Sequence, residues 1–597
     1  LNKSRIAVFA AACMMIISLI CLPIKEACYR QVQASSFLVD NKQKVVLILV
    51  DYIELQDFAE NEYLEWLFNN SYSALVSGRQ NGKASSVKAK LTIGAGKRLE
   101  VTTGLKSAFN HINQGVEGVQ YIDIEILKYQ NADNDYSGYI GYLGRMLHKN
   151  GKKTCIIGNS DSDIIDRSAM LIPMDENGYV DYGDVQNTLA FDSNYPGGKR
   201  TDYDRVYDSF QRYYENSDFI LVDTGDLARL ENHKSEMIPE IYKNYRTETL
   251  GNIAQLTRRV IESGDEGTTF MLLSSFPSKK SIKSGFKLTP FLVYDKKGSG
   301  VLYSASTKRE GVITNLDIPN FLLQQLTEKV DSAIKEEMRE QPLKNTLLLA
   351  RRLLTTSGMR LPVLTWYAIF EIVCATIGLI HILNINKSKW LFTNFIKIIM
   401  LANVVAPAVL LYMAIFDLYS ASLYFSIFII ISFALATGLV LLIRTSTLQF
   451  LCAAAFVNLS IVIDLLRSSS LIKNSIFGYD PIIGARFYGI GNEFAGVFIG
   501  SGILLAGCML QYCKAYIGHR PKVAALLVAI YAFIQLFMMG MPFTGANFGG
   551  TIAGVVGYYF FYCSVKKSKI NIRKLVILGL ILAISLTSII LWDLSEP

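Results

Sequence analysis

A threonine followed by small residues and two bases, Leu91-Thr-Ile-Gly-Ala-Gly-Lys-Arg98, is the stretch of this chain whose residue types best suit chemistry. Backbone N–H groups in such a turn, with Lys97 and Arg98 beside them, would suit an anionic oxygen. Thr92 would serve as a nucleophile if a metal ion lowered its hydroxyl pKa. The same letters also read as a glycine turn ahead of a helix. Other polar groups close apolar runs: Asp51, Asn159, Asp223 and Ser274.

Those runs are the elements that must position the chemistry. Lys44–Asp51, Thr154–Asn159, Asp218–Asp223 and Thr269–Ser274 are short, continuous and apolar, which suits buried parallel strands. Helical patterns lie between them, at Tyr139–Asn150 and Leu250–Ser263. Alternating strand and helix predicts an α/β domain, a mostly parallel sheet with helices on both faces. A site in such a sheet lies at the carboxyl ends of the strands. Asn159 and Asp161 in Gly158-Asn-Ser-Asp161 are substrate-binding candidates there, or members of an Asx turn.

Outside residues 35–350 the chain changes character. Its 597 residues carry only 18% charged side chains, below the roughly 25% of soluble proteins. The deficit lies in apolar runs long enough to cross a bilayer. These exclude a purely soluble enzyme. Eight of the nine cysteines lie in or beside such runs, and only Cys155 lies in the polar region, which excludes a disulfide scaffold. The net charge of +8 comes largely from bases flanking apolar runs, so no nucleic-acid partner is expected.

The expected organisation has three parts. Residues 1–34 form a membrane anchor or signal segment around Ile6–Leu22. Residues 35–350 form an extracytoplasmic domain. Residues 351–597 form an all-α membrane domain of about eight helices, the last near 574–592, with further residues expected beyond the end. Lys and Arg cluster in alternate loops, at 387–389, 444, 514–522 and 566–574, which places those loops inside. On the outer side, Arg486-Phe-Tyr-Gly-Ile-Gly-Asn-Glu493 and Gly540-Met-Pro-Phe-Thr-Gly-Ala-Asn547 enter spans. Arg486, Glu493 and Asn547 are candidates for binding a membrane lipid or lipid-linked head group, and helix capping with close glycine packing is an equal alternative. Asp464 and Arg467, one turn apart, are expected to pair.

A carboxylate ending the first strand and a hydroxyl in a small-residue turn resemble the alkaline phosphatase superfamily. The resemblance covers about residues 44–330, through Val46–Asp51, Leu91–Gly96, Asp223-Thr-Gly-Asp226 and Gly311–Pro319. It also extends to a group of uncharacterised bacterial membrane proteins, with Gly158–Asp161 and Ser274–Ser278 in common. The resemblance implies a metal held between Asp51 and Thr92, with Thr92 attacking phosphorus or sulfur. The superfamily's usual histidine ligands are missing: Leu227 and Leu230 follow Asp223 and Asp226 by four residues. What the resemblance leaves is one divalent cation (Mg, Mn, Ca or Zn) on Asp51, Thr92 and Asp223 or Asp226, or no cofactor at all. The function implied is a membrane-bound phosphatase or phosphotransferase acting on an envelope phosphate compound. Two alternatives stand beside it: a non-catalytic protein that binds envelope lipids, glycans or proteins, and a transporter.

Overall fold

The computed structural model describes residues 44–569, apart from 102–103, 105, 111–117, 134–138, 328–329, 384–389, 417, 485 and 517–520, together with 573, 576 and 579. The expected anchor at residues 6–22 and most of the last apolar run lie outside the described residues. The described residues divide into two compact units, one comprising those of 44–354 with 481–487, the other those of 355–480 and 488–597.

The first unit is built on an 11-stranded sheet. Its strands are β1 (Lys44–Leu49), β2 (Tyr72–Ser77), β3 (Thr154–Gly158), β4 (Tyr182–Asp184), β5 (Phe219–Asp223), β6 (Thr268–Leu273), β7 (Leu288–Tyr294), β8 (Gly300–Ser304), β9 (Arg309–Glu310), β10 (Val312–Thr314) and β11 (Ile334–Met338). The order is β9-β8-β2-β7-β6-β1-β5-β3-β4, with β10 on β2 and β11 on β8. The block β6-β1-β5-β3-β4 is parallel. Beyond β6 the sheet continues antiparallel through β7 and β2, an extension the apolar runs did not announce.

Side chains of a strand alternate between faces. Val45, Leu47 and Leu49 of β1 join a core with Leu91, Leu143 and Phe321. These come from helices α1 (Ser86–Ala95), α2 (Tyr142–Lys149) and α6 (Ile318–Leu326). Three further helices of the unit are α3 (Tyr203–Tyr214), α4 (Asp226–His233) and α5 (Pro239–Glu262), and α5 packs against both α3 and α4. Val46 and Ile48 are as enclosed as Val45 and Leu47, which is why the run is apolar throughout rather than alternating.

A charged clamp ties α2 to the sheet. His148 lies 2.7 Å from Asp181 and 3.5 Å from Asp175. Hydrogen bonds to Asp175 and Asp181 push the imidazole up to about 9 against the opposing effect of burial. A histidine raised from its ordinary value near 6.5 favours the folded state fully below that value. Its contribution is lost as the pH rises through about 9. We expect unfolding midpoints of the protein to fall between pH 6.5 and 9, and His148→Gln to flatten that part of the profile.

Among the described residues, seven helices, lying wholly or mostly in the second unit, are long and apolar enough to cross a membrane: α7 (Pro342–Leu383), α8 (Phe392–Ile415), α9 (Ala421–Leu442), α10 (Ser446–Leu466), α11 (Asn492–Ala515), α12 (Lys522–Gly540) and α13 (Phe548–Lys566). Buried amides bind several of them together. Asn458 accepts from Tyr531 (2.6 Å) and Gln535 (2.7 Å) and donates to Ser501 (2.8 Å). Unmet polar groups in hydrocarbon are costly, and here α10, α11 and α12 satisfy one another. Asp464 does not pair with Arg467. It accepts from the backbone N–H groups of Leu471 and Ile472, both at 2.8 Å, and so caps the short helix Ser470–Asn474.

Candidate functional site

Register brings the carboxyl ends of four neighbouring parallel strands level. Leu49 of β1 stands beside Asp223 of β5 and Leu273 of β6, and Asp223 beside Gly158 of β3. Two residues past the ends of β1, β6 and β3 come Asp51, Ser275 and Ser160. Asp51 is buried and fully engaged. One of its oxygens accepts from the Ser275 N–H (2.8 Å) and hydroxyl (2.6 Å). The other accepts from the Ser86 hydroxyl (3.0 Å) and stands 3.0 Å from the Lys90 ammonium.

Ser86 and Lys90 are one helical turn apart at the start of α1, so both face Asp51. Ser85 caps that helix by accepting from the Lys88 N–H. Lys90 also reaches Ser168 at 3.2 Å, and Ser168 donates to Asp166 at 2.6 Å. Asp166 is ion-paired with Lys106 as well. Ser160 donates to Asp223 at 3.1 Å.

The electrostatics follow from this geometry. Burial favours a neutral amine at Lys90, but Asp51, Asp166 and Asp223 overcome it and hold the ammonium above the usual lysine range. Burial also opposes ionisation of Asp166, yet Lys90 and Lys106 hold its carboxyl below the usual range. Burial pushes Asp223 up to about 6, with Asp51 and Asp166 adding to the rise and Lys90 opposing it.

Thr92 is not the hydroxyl at this site. Residues 91–95 are the end of α1, not a turn before a helix, and Gly96 closes that helix in the left-handed conformation. The small residues serve packing. A Cβ on Gly94 would stand 2.0 Å from the Leu171 carbonyl, so only glycine lets the helix approach that segment. Thr92 is wholly enclosed, and its hydroxyl has no hydrogen-bond partner. Its polar atom contributes nothing that a methyl would not, so Thr92→Val is expected to change stability by less than about 1 kcal/mol. Thermal unfolding checks this. Lys97 and Arg98 lie past the far end of α1, about 15 Å along the helix from Ser86, too far to offset charge at Asp51.

The other candidates are also engaged elsewhere. Asp226 is buried against Arg229 (2.8 Å) and accepts from Tyr203 (2.8 Å) and the Thr201 N–H (2.9 Å). It is a structural counter-ion rather than a metal ligand. Asn159 accepts from the Asp161 N–H (2.9 Å) in an Asx turn, and Asp161 binds Arg167 (2.9 Å). Both shape the loop after β3 instead of facing a substrate. In the helical unit, Glu493 pairs with Arg360 at 2.8 Å. Asn547 caps α13 through the Gly550 N–H (2.7 Å) and donates to the Ile490 carbonyl (3.0 Å). Arg486 belongs to the α/β unit and Glu493 and Asn547 to the helical unit.

A divalent ion on Asp51 would have to sit against a buried ammonium, on a carboxylate whose two oxygens already accept from protein donors. The residues present do not fit such an ion. Among the described residues no group of three His, Cys, Asp or Glu side chains is placed to hold one. Ser86, Lys90 and Asp166 escaped the sequence reading, and Ser275 entered it only as part of Ser274–Ser278. One signal was available: Ser85-Ser-Val-Lys-Ala-Lys90 is a helix N-cap with a hydroxyl and an amine at i and i+4.

No protein-family model matches the chain, and no curated protein matches it. Among solved structures, an alkaline phosphatase from the Antarctic bacterium TAB5 is similar at 11% identity and a TM-score of 0.29, covering 49% of this chain and 98% of its own. A protein from Pyrococcus horikoshii is similar at 12% identity and a TM-score of 0.28, covering 49% of this chain and 99% of its own.

Proposed function

We propose that the protein is a non-catalytic binding protein of the cell envelope, with an α/β domain of phosphatase-like architecture held outside the membrane by a helical bundle. Its partner in this reading is an envelope component such as a lipid-linked head group. The observation that carries the reading is the saturation of Asp51 by Lys90, Ser86 and Ser275, which leaves metal-assisted phosphoryl transfer without a seat. The alternation of basic loops supports the outside placement.

The second reading is a phosphatase or phosphotransferase. One observation favours it: Ser86 is only partly buried, and its hydroxyl donates to a carboxylate at a helix start. Turnover of p-nitrophenyl phosphate by the full chain in nanodiscs separates the two. With magnesium, manganese, calcium or zinc at millimolar supply, the rate is expected to match that of Asp51→Asn. A rate well above it, lost in Ser86→Ala, would replace the binding reading with the catalytic one.

A further inference from the structure

Arg360 is a cation on a membrane-length helix. It lies about 35 Å along α7 from the helix end at Leu383. A hydrocarbon layer is about 30 Å thick, so a spanning α7 brings Arg360 to its rim. Leu361 and Trp366, its neighbours on α7, are exposed. The side chains of Arg360 and its partner Glu493 are 19% and 36% exposed. A guanidinium carries five N–H donors. Among the described residues this one makes a single hydrogen bond, from Nη2 to Glu493 Oε1 at 2.8 Å. Glu493 Oε2 lies beside Gly491, where a Cβ would stand 3.2 Å from it. Ser357, one turn before Arg360, donates to Asp480 instead. Past the pair, α11 is open. Glu493, Gly496 and Gly500 fall at i, i+3 and i+7, on one face of the helix. Both glycines are exposed, and a Cβ on either would meet nothing within 4 Å. The stripe is an apolar groove headed by an ion pair, and all of these residues belong to the helical unit.

We propose that Arg360 and Glu493 together bind the head group of a zwitterionic phospholipid. Its phosphate takes further N–H groups of Arg360, its primary ammonium donates to Glu493, and an acyl chain lies along Gly496 and Gly500. Charge complementarity selects this occupant. An anionic head group gains the arginine but meets the carboxylate, and a quaternary ammonium offers Glu493 no N–H. The inference deepens the binding reading and rests on it for the class of partner. It has a consequence that a pair merely tying α7 to α11 would not share: removing the carboxylate changes which lipid is preferred.

The test places the full chain in nanodiscs holding phosphatidylethanolamine, phosphatidylcholine and phosphatidylglycerol in equal shares, and counts the lipid retained after detergent extraction by native mass spectrometry. Wild type is expected to retain phosphatidylethanolamine over the other two by about tenfold, the size of one hydrogen bond to a charged group. Glu493→Gln should turn the preference to phosphatidylglycerol, because the site then carries net positive charge. Arg360→Gln should retain no lipid preferentially, and Gly500→Leu should lower retention by filling the groove. Equal retention of the three lipids by wild type, or a preference for phosphatidylglycerol, overturns the inference. So does a Glu493→Gln protein that keeps the wild-type order, or a dimer lost on Gly500→Leu, which would assign the glycine face to a second copy. If the variants do not accumulate, the wild-type order decides. The two readings fail separately. Turnover of p-nitrophenyl phosphate would defeat the binding function and leave the lipid order standing. Equal retention by a protein without turnover would do the reverse.

Discussion

Replacing Lys90 with methionine is expected to destabilise the protein by about 3–5 kcal/mol, the cost of stranding a buried charge. Methionine nearly matches the lysine stem in length, so packing changes little and the effect is electrostatic. Asp51 keeps its bonds from Ser86 and Ser275 but loses its only ion-pair partner among the described residues. Asp166 retains Lys106. Asp223 loses the Lys90 charge that opposes those of Asp51 and Asp166 and keeps the hydrogen bond from the Ser160 hydroxyl. Chemical unfolding followed by pulse proteolysis reads the change. A loss below about 1 kcal/mol, the size of an exposed pair, would mean that solvent reaches the cluster.

The second large effect is expected at Arg229. Its guanidinium binds Asp226 through Nε (2.9 Å) and the carbonyls of Asn159 and Asp161 (3.1 Å each), and it touches Thr201. Arg229 and Asp226 are 1% and 2% exposed. Arg229→Met leaves a buried carboxylate without its counter-ion, with only the Tyr203 hydroxyl and the Thr201 N–H of its named donors remaining, and takes the guanidinium from the Asn159 and Asp161 carbonyls, again costing about 3–5 kcal/mol. Adding Asp226→Leu should recover a large part of that loss, since an apolar pair of similar volume avoids the desolvation penalty. Failure of the second change to recover anything would show that the guanidinium acts through the carbonyls alone.

Strands β1, β3, β5 and β6 were legible because each is enclosed on both faces, and a run such as Val45–Val50 admits few other readings. The long helices were legible for the same reason of scale, since runs of some twenty apolar residues have one common fate. Helix α1 was not. It is buried almost all round, Lys90 included, so its apolar residues show no one-sided period, and its glycines imitate a turn. The antiparallel extension was hidden because β7 and β2 share the apolar composition of the parallel strands, and pairing direction is set by connections rather than by composition.

The site was harder to read than the fold. Asp51 and Asp223 end strands, and strand ends meet, so their convergence could be anticipated. Lys90 in isolation reads as a solvated helix residue, because the carboxylates that bury it arrive from β1, β5 and the loop after β3. Glu493 likewise gave no hint of Arg360, which lies on a different helix. Thr92 misled because hydroxyl, glycine and base in sequence look like a phosphate cradle, whereas here they are close packing, a helix end and exposed surface.

The central claim is that the Lys90 ammonium and the Asp51 carboxylate compensate each other inside the protein. A double-mutant cycle with Lys90→Met and Asp51→Leu, read by chemical unfolding, measures that directly. A coupling free energy of about 2 kcal/mol or more is the predicted result. A value near zero, with the two losses simply adding, would contradict it.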